Sequence, residues 1–176
     1  MNPMKNIRMA KVTLNIGAGK DQTKLEKGIQ LIKSITGIDP IKTVTQKRIP
    51  SWGIRPGLPI GCKLTLRKDI AKDVLKRILV AKENTLNLTN FDQKGNVSFG
   101  IHEYIDIPGV VYDPKIGIMG LQICITLEKP GFRIKHRKIN AKKIPKNHNV
   151  SQEEAVSFLK DEFGVIINIG DSGDRK

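Results

Sequence analysis

Alternation with a period of two is the feature that most constrains how this chain can fold. In Cys62-Lys63-Leu64-Thr65-Leu66-Arg67 every second residue is apolar and the rest are polar or cationic. That is the pattern of a strand buried on one face and wet on the other. Lys11-Val12-Thr13-Leu14-Asn15-Ile16 repeats it, and so do Val97, Phe99 and Ile101, then Leu121, Ile123, Ile125 and Leu127. Strands covered by helices on both faces read instead as unbroken Val/Ile/Leu runs. The expected class is α+β, a mainly antiparallel sheet with helices packed on one face and the other face open.

Helices fit between these strands. Asp21 is placed to cap a helix to about Ile35 that buries Leu25, Ile29 and Ile32 and stops at Gly37 and Pro40. A second strand is expected from Ile41 to Lys47, with Thr43, Thr45 and Lys47 on one side. A stiff loop follows, punctuated by Pro50, Gly53, Pro56, Gly57 and Pro59. The next helix opens at Asp69, buries Ile70, Val74 and Ile78, and ends near Glu83 or Asn84. Asp92-Gln93-Lys94-Gly95 reads as a turn. Ser151 and Glu154 make a capping box for a last helix that turns Ala155, Phe158, Leu159 and Phe163 inward. No repeat or linker divides the chain. A single domain is expected over 1–167, with a basic extended segment at 129–150 and a flexible tail over 168–176.

Charge narrows the function. The formal net charge is +14, from 31 Lys+Arg and 17 Asp+Glu. Residues 1–60 carry 11 basic and 3 acidic side chains, and residues 129–150 carry 8 basic and none acidic. Residues 61–128 are nearly neutral, and 151–176 are net acidic. A solubility surface mixes signs, whereas two concentrated blocks imply two surfaces that attach to a polyanion. Neither block has the helical apolar spacing of a membrane-surface helix, and no apolar run is long enough to span a bilayer. Met1 to Lys11 lacks the apolar run of a secretory signal, so a cytoplasmic location is expected. Two cysteines, Cys62 and Cys124, are too few for a disulfide scaffold.

Catalytic constellations are weak. Gly17-Ala18-Gly19-Lys20 lies between a strand and a helix, but Leu14 and Asp21 stand where a phosphate-binding loop needs Gly and Ser/Thr. The turn is either a plain strand-to-helix connection or one whose N–H groups meet an RNA phosphate. His102, His136 and His148 have no metal-ligand spacing, and the latter two fall in the basic segment, where a surface role is ordinary. Asp69 and Asp73 sit among Lys72, Lys76 and Arg77, which suits exposed ion pairs better than acid–base chemistry. No enzyme, metal, cofactor or small-molecule substrate is expected.

Nucleic-acid binding remains. The chain has eight aromatic residues and no aromatic strand series for stacking single-stranded bases. The open face offers Arg8, Lys11, Thr13, Asn15, Thr43, Thr45, Lys47, Lys63, Thr65 and Arg67, groups suited to phosphate oxygens and ribose hydroxyls. Recognition of folded RNA by shape is therefore favoured. Trp52, in a loop with Arg48, Ser51 and Arg55, is either a core anchor or an exposed contact for a second RNA.

Several of these segments resemble one family in order and spacing. They are Val12-Thr13-Leu14-Asn15-Ile16-Gly17-Ala18-Gly19, Ile35-Thr36-Gly37, Gln46-Lys47-Arg48, Ile54-Arg55, Pro59 to Arg67 and Asp92 to Ile101. The chain resembles the large-subunit ribosomal proteins that bind 5S ribosomal RNA, the L-five family. Pro130-Gly131-Phe132-Arg133-Ile134 looks like the archaeal and eukaryotic branch. The resemblance implies a structural role in the central protuberance, with 5S rRNA on the open sheet face. It also implies P-site tRNA against the loop holding Arg48, Ser51, Trp52 and Arg55, and a small-subunit protein at an intersubunit bridge. Arg133, Lys135, Arg137, Lys138, Lys142, Lys143 and Lys146 would grip neighbouring large-subunit rRNA. A free-standing RNA chaperone and a P-loop-like nucleotide hydrolase are the alternatives.

Overall fold

The computed structural model describes residues 2–168. In chain order the regular elements are β1 (Arg8–Gly17), α1 (Gln22–Thr36), β2 (Ile41–Val44), β3 (Pro59–Leu66), α2 (Lys68–Ala81) and β4 (Thr85–Asn87). Then come β5 (Val97–Ile101), β6 (Leu121–Glu128), α3 (Arg133–His136), α4 (Gln152–Phe163) and β7 (Ile166–Asn168). Five strands form one sheet in the order β2-β3-β1-β6-β5, and every pairing in it is antiparallel. A separate parallel pair joins β4 to β7.

The alternation does what it implies. Val12 lies between Leu66 and Ile125, and Leu14 between Leu64 and Ile123, so their side chains form buried rows across three strands. Leu25, Leu31, Ile32 and Ile35 of α1 and Ala71, Val74, Leu75, Ile78 and Leu79 of α2 join the same core. Both helices therefore cover one side of the sheet. The fit is close: a Cβ on Gly28 of α1 would come within 3.2 Å of Ile16 and 3.3 Å of the Cys62 sulfur. At Gly61 it would meet the Ile16 carbonyl oxygen at 2.6 Å, so β3 can lie this near β1 only without a side chain there.

Local signals set most boundaries. Asp21 caps α1 by accepting from the N–H groups of Thr23 and Lys24, and Gly37 ends it in the left-handed conformation. The Ser151–Glu154 capping box starts α4, with Ala155 and Leu159 buried and Phe158 and Phe163 half-buried against the core.

Several expectations need correction. The second strand stops at Val44, because the register slips between Thr43 and Val44 and Thr45 turns its hydroxyl onto the Lys47 backbone. Thr45 and Lys47 are therefore not strand residues. Arg67 is the residue before α2, and Asp69 sits inside its first turn. Ile70 is exposed rather than core. A spacing of four residues advances 400°, so an Ile70–Val74–Ile78 stripe drifts about 40° per step, and Ala71, Leu75 and Leu79 supply the inner face instead. α2 ends at Ala81, since Glu83 and Asn84 adopt positive φ (56° and 52°) that no helix continues. Ile29 of α1 is half-buried, with Leu31 and Ile35 deeper. The segment 129–150 is not wholly extended, since it holds α3 and a single 3-10 turn at Lys146–His148. Asn168 ends β7, and the rest of the expected tail lies outside the described residues.

Candidate nucleic-acid interface

Among the described residues, the face opposite the helices carries no buried apolar side chain. Pairing places Thr65, Thr13, Cys124 and Ser98 in one row across β3, β1, β6 and β5. The next row runs Ile41, Lys63, Asn15, Gln122 and Gly100. Thr43 is opposite Gly61 at the β2 edge, and Lys11 is opposite Thr126. Thr13, Asn15, Thr65 and Lys11 are half-buried within the sheet, and Lys63 is exposed. Asn15 donates through its side-chain amide to Gln122 at 3.3 Å, which fixes its orientation. Of the sheet-face candidates, Lys11, Thr13, Asn15, Thr43, Lys63 and Thr65 come together, while Thr45 and Lys47 do not. Ser98, Gln122, Cys124 and Thr126 complete the face, and their signal was available as the polar half of the alternation in β5 and β6.

The register puts different structures at the two ends of this face. Beyond Gly17 and Pro59 lies the loop, where Ile49 bridges Ile54 and Ile54 is buried. Two further backbone bonds close its base, from Gly57 N–H to the Thr45 carbonyl and from Thr45 N–H to that of Leu58. Trp52 rides on this frame with 66% of its surface exposed, so it is not a core anchor. Arg48, Ser51 and Arg55 are exposed beside it.

Beyond Arg8, Leu66 and Glu128 lies a cleft of about 760 Å³ between the sheet end and the basic segment. Lys11 and Arg67 line it from the sheet, Lys94 from the turn before β5, and Lys135, Lys142 and Lys143 from the segment. Lys11 of the first basic block and three lysines of the second share one site here with Arg67 and Lys94 of the nearly neutral middle. Arg133, Lys138 and Lys146 are exposed on the same segment. Arg137 has its guanidinium Nε tied to the Asn140 carbonyl at 2.8 Å, so it shapes the segment. His148 is likewise structural, its Nε2 lying 2.7 Å from the Pro130 carbonyl oxygen, whereas His136 lines the cleft.

Electrostatics separates this surface from an ordinary charged exterior. Among the described residues, Arg8 is the one candidate cation within ion-pair distance of a carboxylate, Glu128 at 2.8 Å. The other candidates have no carboxylate within ion-pair distance among the described residues, and a polyanion relieves their mutual repulsion. By contrast, Lys129, at the root of the segment, is buried and bonds both oxygens of Glu154 at 2.8 and 2.7 Å. Burial pulls the Glu154 carboxyl upward, but the Lys129 hydrogen bond, the Ser151 N–H and the Lys129 charge outweigh it, leaving it below the usual value.

Nothing resembling a catalytic centre assembles among the described residues. The N–H groups of Ala18 and Gly19 both donate to the Ile60 carbonyl, at 2.9 and 3.0 Å, so they cannot cradle a phosphate of nucleotide or RNA. Only Gly19 of this segment takes positive φ, which makes it a plain turn. The Asp21 carboxyl is held below its usual range, chiefly by the Thr23 hydroxyl and then the Lys24 N–H, and stays anionic at the start of α1. Burial pushes the Cys62 thiol up and leaves it inert. No group of three or more His, Cys, Asp or Glu among the described residues is placed to hold a metal. No helix among them is long and apolar enough to cross a membrane.

Comparison with known proteins agrees with this geometry. Residues 2–55 match the family model described as "Ribosomal protein L5", and residues 59–158 match the model of the same family's C-terminus. The large ribosomal subunit protein uL5 of Sulfurisphaera tokodaii is 46% identical over 168 residues, covering 95% of each chain. That of Sulfolobus acidocaldarius is 45% identical, over 94% of this chain and 93% of its own. That of Nanoarchaeum equitans is 44% identical, over 94% and 98%. With matches that run through both the sheet and the basic segment, the chain belongs to the ribosomal protein L5 family.

Proposed function

We propose that this protein is a structural, non-catalytic constituent of the large ribosomal subunit that holds 5S rRNA against its open sheet face. The observation that carries this reading is a polar face left uncovered by helices and bordered by cations that, Arg8 apart, have no carboxylate partner among the described residues. The name shared by its relatives, large ribosomal subunit protein, supports the setting and a place inside the cytoplasmic ribosome. The loop with Arg48, Ser51, Trp52 and Arg55 reaches P-site tRNA, and the segment 129–150 fastens the protein to rRNA. A small-subunit protein at the bridge meets the loop between β5 and β6. There Val111 and Ile118 are exposed among Glu103, Asp106 and Asp113, a surface that suits a protein and repels RNA.

The two cysteines provide the test. Cys124 lies exposed in the middle of the open face, and Cys62 is buried beneath it. Alkylation should modify Cys124 quickly and Cys62 not at all. Saturating 5S RNA should slow Cys124 at least tenfold, while an unrelated duplex at the same salt should not. An unchanged Cys124 rate with 5S RNA bound would remove RNA from this face, and equal protection by both would favour the chaperone.

Trp52 gives a second check. Stacking of a base on an exposed aromatic contributes about 1–3 kcal/mol. Large subunits assembled with a Trp52→Ala chain should hold P-site tRNA about tenfold more weakly, with 5S RNA affinity unchanged. Loss of 5S affinity instead would assign Trp52 to the wrong RNA.

A further inference from the structure

The cleft at the sheet end differs in character from the face it adjoins. Its rim is cationic, with Lys11 and Arg67 on one side and Lys135, Lys142 and Lys143 on the other. Its lining also carries apolar side chains, of which Ala10, Phe132 and Ile144 are half-buried and reachable, beside Asn96, Thr126, Asn149 and the Glu128 carboxylate that Arg8 pairs with. A surface that meets only phosphates has no use for an apolar floor, and one that meets only a protein has no use for five converging cations. An RNA strand with its bases out of the stack presents both chemistries at once: phosphates for the rim and an aromatic base for the floor. At about 760 Å³ the cleft falls within the range of roughly 300–1,000 Å³ typical of enclosed ligand sites. That volume suits one or two nucleotides.

We infer that this cleft is a binding site for unpaired nucleotides of RNA, gripped between the sheet end and the basic segment. The inference rests on the RNA-binding reading above and deepens it. The cleft takes an unpaired stretch of RNA where the sheet face takes a folded surface, and Lys11 borders both. The segment is shaped to serve as the outer wall. Lys142 N–H donates to the Ile134 carbonyl, folding the chain back on α3, and Phe132 packs near the His148 ring at 6.3 Å between centroids.

The test uses the full chain with a short single-stranded oligouridylate and a duplex of equal length, so it does not depend on any preference for 5S RNA. Lys94→Gln with Lys135→Gln, and separately Lys142→Gln with Lys143→Gln, should each weaken the single strand about tenfold and the duplex far less. Each pair should flatten the single-strand salt dependence, by about 0.7 for every phosphate no longer neutralised. Phe132→Leu, which keeps an apolar side chain, should weaken the single strand several-fold without changing that slope, because stacking releases no counterions. Equal losses for both probes in both paired variants would overturn the inference and leave the cleft a merely charged surface. So would an unaltered affinity in Phe132→Leu. If the wild-type chain binds the oligonucleotide as described yet shows no preference for 5S RNA, the cleft stands and the 5S reading alone fails.

Discussion

A Thr13→Glu chain is expected to lose at least about a hundredfold in 5S RNA affinity while keeping its fold. Thr13 belongs to β1, the middle strand of five, and lies between Thr65 and Cys124 in the row that crosses the open face. A carboxylate there projects into the surface that RNA must cover. Juxtaposed like charges at an interface cost several kcal/mol, more than enough for a factor of a hundred. The folded protein has little reason to object. The position is half-buried on the wet side, and Lys11 and Lys63 lie close by along the face, so the change in stability should stay within about 1 kcal/mol. Binding at fixed salt, paired with thermal melting, separates the two quantities. Thr13→Ser keeps the hydroxyl and should bind almost as the parent does. A loss below threefold in a fully folded Thr13→Glu chain would mean that RNA does not lie over the centre of the sheet.

Thr13 was legible in the sequence because a two-residue period leaves only two faces, and Val12 and Leu14 claim one of them. Gly37 and the Ser151–Glu154 pair were legible for a similar reason, since helix ends leave orphan backbone groups that few residue types satisfy. What escaped depends on contacts between distant segments. The parallel pairing of Thr85 with Ile166 joins two runs of three residues, too short to show a period. Thr45 carries the right residue type for the open face, but a register slip next to it and its own backbone bonds take it elsewhere. Nothing near Ala18 announces that the Ile60 carbonyl will occupy its N–H. The meeting of sheet-end cations with the basic segment at one cleft is of the same kind. Composition locates the basic segment along the chain, and only the antiparallel path of β1, β3 and β6 brings Lys11 and Arg67 opposite Lys142 and Lys143.

That meeting depends on how the basic segment is rooted, and Lys129→Ala should therefore have the largest effect on stability. Lys129 is 7% exposed, bonds both Glu154 oxygens and reaches the Asn149 carbonyl at 3.3 Å. One ammonium group thus ties the end of β6, the end of the basic segment and the start of α4 together. Breaking a fully buried pair by removing one partner costs about 3–5 kcal/mol. Here the Glu154 side chain is 43% exposed and can turn to water, which lowers the expected loss to roughly 2 kcal/mol. The pH dependence gives an independent signature. Because the folded protein holds the Glu154 carboxyl below its ordinary value, the stability it contributes is complete above the unfolded pKa, near 4.5. It disappears as pH falls through the lower, folded value. The melting difference between parent and Lys129→Ala should be full at pH 7 and shrink steadily below about pH 4.5. A constant difference down to pH 2 would show that the stem of Lys129 stabilises the root by packing and its charge does not. A segment loosened in this way should also lose the outer wall of the cleft. Lys129→Ala, though it lines no part of that cleft, should weaken oligouridylate binding as the paired Lys142→Gln and Lys143→Gln chain does.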